Sequence, residues 1–156
     1  MPRKKKIFDL AKALERLRQT GIPLESRGPY GGLDEIPSLN ERVKKILNIV
    51  NKPRKVSEMI FFVMYDIEDN RVRRLVVKYL EQKGCHRVQK SIFLADLPSA
   101  TYNQMKCDLA DVQASYDNED SILLVPISTD YLSSMKVIGK NIDTDIILKT
   151  RNTLFF

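Results

Sequence analysis

Apolar residues recur at helical spacing twice near the start of the chain. Ile7, Leu10, Ala11, Leu14 and Leu17 predict a first helix, with Lys12, Arg16 and Arg18 opposite and Gly21 then Pro23 ending the run. A second stripe is formed by Leu39, Val43, Ile46, Leu47 and Val50, and Ser38 with Glu41 has the spacing of a capping box before it. Between the two, residues 21–37 gather Gly21, Pro23, Gly28, Pro29, Gly31, Gly32 and Pro37 and read as a linker. Lys52, Pro53, Arg54 and Lys55 follow the second stripe as a basic joint. Both stripes must bury against something: the parent domain, a second copy of the chain or another protein.

The pattern changes at Met59. Ile60-Phe61-Phe62-Val63-Met64-Tyr65 is a continuous apolar run rich in aromatic and β-branched residues, as expected for a central strand buried on both faces. Asp66 ends it. Val72, Leu75, Val76, Tyr79 and Leu80 then line one side of a helix that Asp69 or Asn70 can cap and Gly84 can close. Arg87–Ala95 reads as strand, broken in two near Ser91. Pro98 opens a second helix with Tyr102, Met105, Leu109 and Val112 on one face. Asp117-Asn118 turns the chain into a strand over Ser121–Ile127. Short β-like pieces follow at Lys136–Ile138 and Leu154–Phe156. The order strand, helix, two strands, helix, strand predicts an α+β, ferredoxin-like (split β-α-β) sheet with both helices on one face. The other face stays apolar, and a homodimer packed sheet to sheet would cover it. The trailing pieces are expected as C-terminal edge strands, on this sheet or a partner's.

Charge sharpens this division. Residues 1–58 hold 14 Lys+Arg against 7 Asp+Glu, a net of +7, whereas residues 59–156 hold 12 against 13. Five of the seven prolines and four of the six glycines also precede residue 59. We therefore read residues 1–58 as a basic N-terminal extension with two helices and residues 59–156 as the main domain. A basic appendage suits a polyanion partner such as nucleic acid, or simply a solvated surface. The longest apolar stretch, Met59 to Tyr65, is far short of the ~20 residues of a membrane span. No signal-peptide core follows Pro2-Arg3-Lys4-Lys5-Lys6, and two cysteines make no disulfide framework, so a cytoplasmic location is expected.

Several chemistries lack their residues. Gly31-Gly32 has no following Lys-Ser/Thr for a phosphate loop. One histidine and Cys85 with a distant Cys107 give too few ligands for structural zinc. The constellation Asp66, Glu68, Asp69 is more informative. A carboxylate at the end of a buried strand is rigidly held and suits a hard divalent cation. One carboxylate binds Mg²⁺ weakly, and a two-fold axis bringing two Asp66 together would strengthen the site. Helix capping competes as an explanation, and is favoured for Glu68 and Asp69. Arg71, Arg73, Arg74 and Lys78 follow, with Arg87 and Lys90 beyond. They suit a phosphodiester beside a metal, or a solvated helix face. Tyr65, Phe93 and Tyr102 are expected in the core rather than stacked on bases.

Val63-Met64-Tyr65-Asp66-Ile67, Arg73-Arg74, Gly84, Arg87-Val88-Gln89-Lys90-Ser91-Ile92-Phe93 and Asp120-Ser121-Ile122 together resemble the second CRISPR-associated protein family, the small nuclease-fold partner of the CRISPR integrase. The resemblance runs over residues 59–130, and Ile142-Asp143-Thr144-Asp145 and Thr153-Leu154-Phe155-Phe156 look like family tails. Residues 1–58 depart from it. The resemblance implies a ferredoxin-like homodimer in CRISPR adaptation. It implies Mg²⁺-dependent endonuclease activity on single-stranded RNA or double-stranded DNA, with Asp66 as catalytic metal ligand from each subunit. Ser91 and Phe93 match positions lining the same region. It also implies a role without cleavage, in which the dimer bridges integrase dimers and lays prespacer DNA across its surface; Arg71, Arg74, Arg87 and the basic extension are the candidate contacts. The scaffold is the preferred biological role, and a toxin-type ribonuclease fits less well. The paired aromatic signature of an RNA-recognition motif is not visible in Arg87–Phe93.

Overall fold

The computed structural model describes residues 36–139. The expected first helix, most of the linker and the tail from residue 140 lie outside them. Helix α1 spans Leu39–Asn51. Strand β1 (Glu58–Asp66), helix α2 (Asn70–Gln82), strands β2 (His86–Gln89) and β3 (Ile92–Pro98), helix α3 (Ser99–Ala114) and strand β4 (Ser121–Ile127) follow, then a short helix α4 (Thr129–Ser133). The strands form one four-stranded sheet in the order β2-β3-β1-β4, and every pairing is antiparallel. This is the split β-α-β arrangement expected from the pattern, with β1 in the interior of the sheet.

β1 is apolar from Met59 to Tyr65 because both of its faces are covered there. Phe61, Val63 and Tyr65 meet Val72, Val76, Tyr79 and Leu80 of α2 and Met105, Leu109 and Val112 of α3 in the larger core. Tyr79 also donates a hydrogen bond to Asp108, which accepts a second from Gln104 Nε2 at 2.8 Å. That ties α2 to α3 through a buried polar group that is satisfied rather than orphaned. α2 closes on Gly84 at φ +91°, with Gly84 N–H on Glu81 O at 3.1 Å and Cys85 N–H on Leu80 O at 2.9 Å. This is the Schellman closure that the glycine suggests. Lys90 and Ser91 make the break between β2 and β3, and a bulge shifts the register between Arg87 and Gln89.

The second face of the sheet differs from the expectation. Ile46 and Ile49 of α1, with Leu132 of α4, pack on Ile60, Phe62, Val88 and Leu94. The cover anticipated from a partner copy is supplied, over most of the face, by the chain's own extension. α1 begins with the capping box at Ser38 and Glu41, both halves of which are present. Its buried stripe is Val43, Ile46 and Ile49, with Leu47 only half-buried, so the apolar seam runs through Ile49. The helix is also pinned at its ends. Arg42 Nη1 donates to Val88 O at 2.8 Å. Asp96, whose side chain is 6% exposed, accepts from Lys52 Nζ and Arg54 Nε, both at 3.3 Å. Two further expectations change. Residues 136–138 are irregular rather than strand, and the unexpected α4 stands just before them, capped by Ser128, whose side chain accepts from Tyr131 N–H.

Candidate nucleic-acid and metal site at the end of the central strand

Asp66 is the last residue of β1, opposite Ser121 on β4, and is exposed. The interior strand delivers it to the rim of the sheet on a backbone held from both sides. The loop behind it is anchored by groups from elsewhere in the chain. Glu68 N–H donates to Asp120 Oδ1 at 3.0 Å, and Tyr116 Oη–H donates to the other oxygen of the same carboxylate. Asp120 is therefore a clamp between the β1–α2 loop and the entry to β4. Asp69 caps α2, accepting from Arg71 N–H at 2.7 Å and Val72 N–H at 3.1 Å. The capping explanation holds for Asp69. The exposed Glu68 takes part through its backbone, and its side chain makes no cap.

On the other flank, Tyr65 N–H bonds Ser91 O at 3.1 Å and Tyr65 Oη–H bonds Lys90 O at 3.1 Å. The same Lys90 carbonyl accepts from Arg87 Nε at 3.1 Å and Arg87 Nη2 at 2.6 Å. Burial raises the Tyr65 phenol above its usual range, and the Arg87 guanidinium opposes that rise. Arg87 is only 5% exposed and lies 5.7 Å over the Phe93 ring. Phe93 itself is fully buried opposite Val63. These residues shape the turn beside Asp66 from within. At the surface, Arg71 and Arg74 are exposed on the first turns of α2, and Ser91 is half-buried in the turn. Burial pushes the Cys85 thiol up to about 12, which leaves it a neutral core group.

The donor set can be judged against a divalent cation. Among the described residues, no group of three or more His, Cys, Asp or Glu is placed to hold an ion. Asp69 and Asp120 spend their oxygens on backbone amides and a phenol. Beyond its backbone pairing with β4, Asp66 makes no hydrogen bond or ion pair with the described residues, so its carboxylate remains available to a hard cation. A single carboxylate is too few ligands to hold Mg²⁺ by itself. The roles of Arg87 and Asp120 were hidden in the sequence because both depend on partners brought close only by the fold. The spacing of Asp120 to Tyr116 carries no signal without it.

The family model for CRISPR associated protein Cas2 matches residues 59–135, from the start of β1 through α4. Together with the split β-α-β sheet and the aspartate at the end of its central strand, that match defines the class. The chain belongs to the CRISPR-associated Cas2 family. No curated protein matches it. Residues 36–58, including α1, lie outside the matched segment. Among the described residues no helix is long and apolar enough to cross a membrane.

Proposed function

We propose that the chain serves CRISPR adaptation as a homodimeric nucleic-acid-binding scaffold that carries prespacer DNA and bridges dimers of the CRISPR integrase. One observation carries this choice over a dedicated nuclease. Exposed basic side chains flank the Asp66 carboxylate, and the neighbouring Asp69 and Asp120 are committed to holding the fold. Arg71 and Arg74 touch backbone phosphates without reading bases. Each phosphate that a basic side chain neutralises adds ~0.9 to the salt slope of duplex DNA binding. The double variant Arg71→Ala/Arg74→Ala therefore binds duplex DNA more weakly and with a shallower salt dependence. Wild-type affinity and slope in fluorescence anisotropy titrations would remove both residues from the interface.

Hydrolysis at Asp66 is the second reading, favoured by the exposure of that carboxylate. Mg²⁺, when bound, supplies an activated water and stabilises charge on the phosphate. Asp66 contributes the oxygen ligand, and Asp120 with Tyr116 holds its loop in place. Single-stranded RNA or double-stranded DNA is the substrate. Labelled RNA and duplex DNA, incubated with Mg²⁺ or chelator, test it in wild type and Asp66→Asn. Metal-dependent cleavage that disappears in the variant places chemistry at Asp66. Cleavage that is absent, or equal in both proteins, leaves the scaffold alone.

A further inference from the structure

α1 covers the sheet face that a second copy, packed sheet to sheet, would need. It fills the face formed by Ile60, Phe62, Val88 and Leu94, and no second sheet can occupy that space while it is docked. Its cover is incomplete. Leu123 and Val125 stand opposite Met64 and Phe62 on β4 and so share this face, and they are 56% and 40% exposed. Asp66 continues the alternation of Ile60, Phe62 and Met64, which turns it toward the same side of the sheet. α1, a single amphipathic helix, is joined to β1 through largely exposed residues 52–57 and is held at its ends by Arg42 on Val88 and by Lys52 and Arg54 on Asp96.

We propose that α1 is a displaceable cover that competes with a second copy of this chain for the outer face of the sheet. Docked, it keeps two sheets apart. Displaced, it leaves an apolar face, continuous from Leu94 to Val125, that a two-fold axis packs against itself. The second copy is the occupant because the face is apolar through its centre and its apolar surface runs on past α1 over Leu123 and Val125, with Asp66 and Asp96 standing only at its two ends. A further consequence rests on the metal reading given above: one chain offers Asp66 alone, so the ion site is complete only after α1 has left. The competition itself does not depend on that reading.

The test uses the full chain and no nucleic acid. Ile46→Asp/Ile49→Asp removes the apolar seam of α1 and leaves the sheet unchanged. Sedimentation equilibrium should show self-association tightened by about tenfold or more, the factor that ~1.4 kcal/mol makes. Adding the surface change Leu123→Lys should abolish the gain. A folded double variant that associates no more tightly than wild type overturns the proposal, as does a gain that survives Leu123→Lys. If circular dichroism shows the double variant unfolded, Arg54→Ala provides the same readout, since it removes one of the two ties from the end of α1 to Asp96 and leaves the apolar seam intact. It should tighten association by a few-fold, and an unchanged constant overturns the proposal. Cleavage assays play no part, so failure here is separate from failure of the nuclease or scaffold readings.

Discussion

The two faces of the sheet are built differently. The inner face meets two long helices that grow directly out of its own strands, and a buried Tyr79–Asp108–Gln104 network ties those helices to each other. The outer face meets one helix contributed by a segment outside the family match and one helix of five residues, with Leu123 and Val125 left bare. Apolar area is removed from water on both faces, yet only the inner face is locked by chain connectivity at each end of each helix. The inner face defines the fold, and the outer face can change occupants without undoing it.

Core truncation on the two faces should separate them most strongly. Met105→Ala, at a fully buried position, should cost ~2–5 kcal/mol of global stability. Ile49→Ala should cost about 2 kcal/mol or less, because the loss cannot exceed what the docking of α1 contributes. Denaturant unfolding gives both values. Equal losses would mean that α1 is as integral as α3. Amide hydrogen exchange sharpens the point, since Ile49→Ala should release protection in α1 while β1 stays protected.

The polar tie of the inner face comes next. Tyr79→Phe leaves Asp108 with Gln104 as its partner and should destabilise by ~1–2 kcal/mol. A neutral result would show that the network adds nothing to packing. The smallest effect belongs to the outer face. His86 sits on β2 opposite Leu94, and burial, with Lys45 second, lowers its pKa below the usual 6.5. A depressed pKa means that the folded chain holds His86 neutral. Its contribution is complete above pH ~6.5 and is lost as pH falls through the lower folded value. Stability measured from pH 7.5 to 5 should therefore decline more in wild type than in His86→Gln. Parallel curves would assign the acid dependence to other groups.

Much of this fold was legible in the sequence because its signals are local. The apolar run at Ile60–Tyr65, the helical stripe from Val72 to Leu80, Gly84 after it and the Ser38–Glu41 box each carry their structural consequence within a few residues. Asp66 at the strand end and Asp69 as a cap were also readable, being set by position relative to an element boundary. Four features were not. Arg87 looked like a surface cation, but its depth follows from stacking on Phe93 and bonding Lys90 O across the β2–β3 turn. α4 is too short for periodicity to reveal. The cover of the outer face depended on which partner α1 would choose, and an amphipathic stripe specifies that it must be buried without specifying where. Asp96 pairs with Lys52 and Arg54 more than forty residues earlier, a match that only the folded sheet brings together.

The clamp from Asp120 to Glu68 has a bearing on how the protein is made. The two residues are 52 positions apart, and β4, which flanks β1 and begins at Ser121, is the last strand of the sheet to be synthesised. A ribosome that has translated β1 through α3 has produced a chain with Asp66 in place but no anchor for the loop beyond it and an open edge along the central strand. Amide protection at Glu68 must therefore arrive late during translation. A chain released prematurely before Asp120 would carry Asp66 without the clamp that holds the loop beyond it.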